Sequence, residues 1–135
     1  MYLKDFLRQK HIQEMLGKGD LNSVFECWGG TTTILSHFLI NAGIEPLQYL
    51  NHIPYGMYIE FDFEEFIVPS NIKRIGGWAF GMCRKLRHIY IPQTVFSIRP
   101  NAFRNCNAEL LIHCEQGSTA HQYAIENNIN FTHEM

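Results

Sequence analysis

Glu65-Phe66-Ile67-Val68-Pro69 and His88-Ile89-Tyr90-Ile91-Pro92 are one pentad written twice, 23 residues apart, each an alternation of apolar side chains closed by a proline. The offset continues downstream without a gap. Ile72 answers Val95, Ile75 answers Ile98, Ala79-Phe80 answers Ala102-Phe103, and Cys83 answers Cys106. Ile112 and Cys114 carry the register into a third strand, with Leu110 standing in for the apolar residue expected at Glu109. Upstream, Met57 lies 23 residues before Phe80 and marks a degenerate first unit. A unit this short cannot bury its own apolar ladder and must stack on a copy of itself, which is the logic of a solenoid.

Two full units are fewer than the roughly three that a solenoid needs, so the flanking segments are expected to close the open ends. Residues 1 to about 50 read as three or four helices. Leu3, Phe6, Leu7, Ile12, Met15 and Leu16 recur at helical spacing until Gly17 and Gly19. A second face, Leu21, Val24, Phe25 and Trp28, ends at Gly29-Gly30, and a third carries Ile34, Leu35, Phe38 and Leu39 from a Thr31 cap to Gly43. Pro46 suits the first position of a short helical turn through Leu50. At the other end, Gly117-Ser118 offers a turn and a cap for a helix with Ala120, Tyr123 and Ala124 on one face, and Ile129 and Phe131 pack back beyond it. The expected architecture is α+β and one compact unit, with a helical cap over residues 1–52 and repeats plus a C-terminal helix over 53–135.

Composition fits a globular domain: 46% hydrophobic and 18% charged residues, with a formal charge of -2. That balance excludes a strongly basic nucleic-acid protein as a description of the whole chain. Lys4, Asp5, Arg8 and Lys10 interrupt the N-terminus, so no signal peptide is expected, and no run approaches the roughly 18 apolar residues of a membrane span. The four cysteines lack Cys-x-x-Cys spacing and read as free thiols of a reducing, cytoplasmic compartment. There Asn130-Phe131-Thr132, a glycosylation acceptor by pattern, has no role.

The repeats resemble BspA-like leucine-rich repeats. The resemblance rests on Ile67-Val68-Pro69-Ser70-Asn71-Ile72-Lys73-Arg74-Ile75 with Ala79-Phe80 and Cys83, and on Tyr90-Ile91-Pro92 with Val95, Ile98, Ala102-Phe103 and Cys106. It extends over about residues 53 to 131, and Gly117-Ser118, Ala120, Tyr123-Ala124, Asn127 and Ile129 are similar to the helical tail that finishes such arrays. It implies a short leucine-rich-repeat solenoid of 23-residue units with a helix at the C-terminal end. It also implies a rigid surface for protein recognition, with no shared catalytic apparatus. The N-terminal helices followed by Ile44-Glu45-Pro46-Leu47 and Tyr49-Leu50 resemble short leucine-rich-repeat proteins encoded in tailed-phage genomes. That resemblance implies a host protein, such as a defence component, that the module inhibits or redirects.

The residues themselves point to binding, not chemistry. No nucleophile elbow, P-loop, His-Glu-x-x-His or dinucleotide glycine pattern occurs, so no enzyme, cofactor or metal is expected. Cys106, His113, Cys114 and His121 lack zinc-ligand spacing, and Glu60, Asp62, Glu64 and Glu65 read as a solvated strand edge. Strand alternation turns Ile67, Tyr90 and His113 outward as a row exposed across the sheet, with Glu65, His88 and Arg87 beside it. Trp78 and Phe96 in the connecting segments are further candidate contacts for a protein partner. Lys73, Arg74, Arg84, Lys85, Arg87, Arg99 and Arg104 are seven of the eleven basic residues and span a stretch without Asp or Glu. This belt serves solubility, an acidic partner, or nucleic-acid phosphates, the last being the alternative function. Open repeat ends also offer surfaces on which two copies can pair.

Overall fold

The computed structural model describes residues 32–135. The helices expected before residue 31 lie outside the described residues. Helix α1 (Thr32–Asn41) ends where Gly43 turns left-handed at φ 81°, and Ile44 N–H then caps the Leu39 carbonyl at 2.9 Å. Pro46–Gln48 forms a single 3₁₀ turn opened by Glu45, as the proline implied.

The remainder winds through β1 (His52–Ile53), β2 (Glu65–Ile67), β3 (Arg74–Ile75), β4 (His88–Tyr90), β5 (Ser97–Ile98) and β6 (Leu111–His113). Helix α2 (Thr119–Glu126) and β7 (Asn130–Thr132) complete it. The first three coils each contribute one strand to each of two parallel sheets, ordered β1-β3-β5 and β2-β4-β6-β7, and the last adds β7 alone. Glu65, Phe66 and Ile67 pair with His88, Ile89 and Tyr90, and those with Leu111, Ile112 and His113, so the 23-residue offset is the register of the larger sheet. Turns make a third side. Tyr58 N–H donates to the Ala79 carbonyl at 2.8 Å, and Phe80 N–H to that of Ala102 at 2.9 Å. The result is a solenoid of about four coils.

One aromatic ring per coil fills the interior. Tyr58 stacks on Phe80 with centroids 5.5 Å apart, Phe80 on Phe103 at 5.2 Å and nearly parallel, and Phe103 meets Tyr123 of α2 at 5.9 Å. The first rung is Tyr58 and not the expected Met57, because the first coil is shorter: β1 pairs with β3 at an offset of 22. Met57 is buried beside it. Cys83 is buried and Cys106 half-buried, and each S–H donates to a carbonyl of the preceding coil, Tyr58 at 3.0 Å and Phe80 at 2.9 Å. Burial pushes the Cys114 thiol above its ordinary range, and this free thiol is a small apolar filler.

The C-terminal end follows the pattern in α2 and departs from it afterwards. Ser118 caps α2 by accepting from His121 N–H, and Ala120, Tyr123 and Ala124 are buried. Beyond α2 the chain forms a strand, β7, which pairs in parallel with β6 at an offset of 19. Ile129 packs on the core, whereas Phe131 is exposed beside His121 and His133.

The third side repeats left-handed backbone at equivalent positions of three coils: Glu60 (φ 62°), Met82 (φ 59°) and Asn105 (φ 59°). Asparagine tolerates that region and glutamate does not. Glu60→Asn, at an exposed site, is therefore expected to stabilise the protein by about 0.5–1 kcal/mol, read as a higher urea midpoint at unchanged slope.

Candidate functional site

The outward face of the four-stranded sheet carries two rows, Glu65-His88-Leu111-Asn130 and Ile67-Tyr90-His113-Thr132. Strand alternation puts them there while Phe66, Ile89 and Ile112 point into the core. Five of the expected contact residues, Glu65, Ile67, His88, Tyr90 and His113, are thus brought together, with Arg87 exposed just before β4. Ile67 is 69% exposed, a bare aliphatic side chain on an edge strand.

His113 is the correction in this row: it faces outward yet is only 8% exposed. The unforeseen strand β7 extends the sheet past it. Tyr90 stacks on its ring at 4.0 Å, and its Nδ1 lies 2.6 Å from the Glu134 carbonyl oxygen. Its Nε2 lies 2.9 Å from His88 Nδ1. The carbonyl only accepts, so His113 Nδ1 carries the proton; when His113 is neutral, its Nε2 accepts and His88 Nδ1 donates. The two imidazoles are locked into one arrangement. His113 is packed among Tyr90, His88 and the Glu134 backbone and is not the exposed member of the row that alternation predicts. Tyr90's hydroxyl titrates above its ordinary value, through desolvation first and the Glu65 carboxylate second.

Trp78 and Phe96 are not part of this face. Trp78 is half-buried on the turn side at φ 57°, and its ring lies where a side chain on Gly81 would go. Phe96 is 63% exposed at the corner entering the smaller sheet, where its N–H donates to the Lys73 carbonyl at 2.8 Å.

All seven residues of the basic belt are exposed, but the coils divide them. Lys73, Arg74 and Arg99 flank the β1-β3-β5 sheet, and Arg74 and Arg99 line one concavity there. Arg84 and Lys85 line another, of about 290 Å³, on the turn side, together with Glu60 and Asp62. Arg104 lies near them, its carbonyl accepting from Met82 N–H at 2.7 Å. The acidic cluster therefore sits beside basic neighbours, and among the described residues no three His, Cys, Asp or Glu side chains converge as a metal would require. Among the same residues no helix is long and apolar enough to cross a membrane.

No curated protein and no solved structure matches the chain. A family model described as "BspA type Leucine rich repeat region (6 copies)" matches residues 50–133. That span runs from just before β1 to the end of β7 and takes in every coil, so the chain belongs to the family of BspA-type leucine-rich repeat proteins.

Proposed function

We propose that the protein is a non-enzymatic protein-recognition module whose binding face is the outward surface of the four-stranded sheet, centred on Ile67 and Tyr90. Leucine-rich repeats commonly serve as protein-interaction modules, and the solenoid fold is typically non-enzymatic. The observation that carries the choice of face is Ile67. Parallel sheets are normally covered on both faces, yet this one leaves an aliphatic side chain 69% exposed beside a stacked Tyr90-His113 pair. Apolar and aromatic groups on a preformed surface are what interface centres use, and rigidity limits the entropy lost on binding. The narrower reading, a phage-encoded cytoplasmic module that inhibits or redirects a host protein, is supported by the resemblance of its N-terminal sequence and Ile44–Leu50 segment to phage repeat proteins.

The test is affinity capture from nuclease-treated lysate with the wild type and with Ile67→Glu and Tyr90→Ala variants. A partner retained in stoichiometric amount by the wild type is expected to lose at least about thirtyfold in affinity with either variant, as centre positions do. Phe96→Ala, off the sheet, should bind as the wild type does. Equal retention by all four proteins would remove the proposed face.

A further inference from the structure

The outward side of the smaller sheet carries a second surface of different chemistry. Two concavities meet there at Arg99: one of about 280 Å³ that also includes Arg74, Gly76 and Ser97, and one of about 530 Å³ that includes Tyr55 and Gly77. Arg74 faces Ser97 across the β3-β5 register and Arg99 follows two residues later, so both guanidiniums leave the same face of neighbouring strands. Both are exposed, among the described residues no carboxylate pairs with either, and no acidic residue lines either concavity. Contrast the turn-side pair, Arg84 and Lys85, which share their concavity with Glu60 and Asp62.

Beside the arginines stands a flat platform. Tyr55 is 62% exposed, and one side of its ring rests on Gly77, where an added Cβ would come within 3.2 Å of Cδ2. A side chain at that position would displace the ring. The exposed ring and Arg99 line the same concavity.

We propose that this surface binds single-stranded nucleic acid, with a phosphodiester held between Arg74 and Arg99 and the adjoining base stacked on Tyr55. Guanidinium groups match phosphate oxygens in a bidentate manner, and an aromatic ring alongside a cationic track is the arrangement that holds single strands without reading their sequence. A phosphorylated peptide would engage the arginines and leave the ring unused. The site is independent of the Ile67 face and lies on the other sheet.

Fluorescence anisotropy of the full chain with a short fluorescein-labelled oligothymidylate, and with an abasic strand of the same length, tests the proposal. Arg74→Gln combined with Arg99→Gln is expected to weaken oligothymidylate binding at least tenfold and to flatten the log affinity against log salt slope by roughly 0.7, one phosphate's worth. Tyr55→Ala should weaken it about tenfold, Tyr55→Phe should restore it, and the abasic strand should bind weakly and ignore both changes. Arg84→Gln with Lys85→Gln, and Ile67→Glu, should leave the affinity unchanged. The proposal is overturned by absence of binding at low salt, or by an equal loss with the turn-side pair, which would indicate diffuse attraction. Equal binding of the abasic strand would overturn it too, leaving a site for phosphate alone.

Discussion

Phe80→Ala is expected to destabilise the protein by about 3–5 kcal/mol, the usual loss for a large aromatic deleted from a core that cannot close around the void. Phe80 is fully buried and is the middle rung of the aromatic ladder. Its ring meets Tyr58 and Phe103 on either side, and Phe63 and Phe66 of the preceding coil at 6.2 and 5.0 Å. Backbone hydrogen bonds tie both neighbouring coils at this point, which limits collapse. The measurement is the urea midpoint, with Phe96→Ala, exposed and outside the core, as a control that should stay within about 0.5 kcal/mol of the wild type. A Phe80→Ala loss no larger than the control's would mean that the ladder does not hold the coils together.

Tyr58→Phe is expected to act in the opposite direction and to stabilise the protein by about 1–2 kcal/mol. Tyr58 is buried at the first rung, where its hydroxyl has no hydrogen-bond partner among the described residues. Burial, with a further contribution from Glu45, drives that hydroxyl far above the ordinary tyrosine range, so it stays neutral and still unsatisfied. An unpaired buried hydroxyl costs about 1–3 kcal/mol, and phenylalanine removes it at nearly the same volume. The next two rungs are already phenylalanine. Tyr123 supplies the comparison. Its hydroxyl donates to the Pro100 carbonyl at 2.9 Å, and burial pushes its pKa up to about 12. Tyr123→Phe should therefore lose about 1 kcal/mol. A gain for Tyr58→Phe beside a loss for Tyr123→Phe is the expected pair, and a loss in both would show that the Tyr58 hydroxyl is satisfied in solution.

The core of the solenoid was legible because its period is exact where the coils are regular. Phe66, Ile89 and Ile112 fall on one register, as do Phe80 and Phe103. Legibility failed where the coil length changes. The first coil runs 22 residues, which puts Tyr58 and not Met57 on the ladder and hides the adjacent Tyr55 platform in a unit that looked degenerate. The last coil runs 19, because α2 replaces the usual strand and turn. Asn130-Phe131-Thr132 therefore read as a glycosylation pattern although it is β7, a strand whose aromatic and β-branched residues were a usable signal. His113 was misplaced for the same reason: alternation gives the direction of a side chain but not the arrival of a neighbour over it.

The contacts that join the first three coils are the same at both junctions: a strand pair in each sheet, a turn hydrogen bond and a ring on a ring. A structure glued in this manner has no fixed length. Duplicating one internal unit adds another rung to each ladder and leaves both termini as they were, so the binding surfaces can lengthen by one strand width, about 4.8 Å, per copy. Reach along a partner is then set by gene duplication, while residues such as Ile67 and Arg74, which no neighbouring coil needs, are free to diverge.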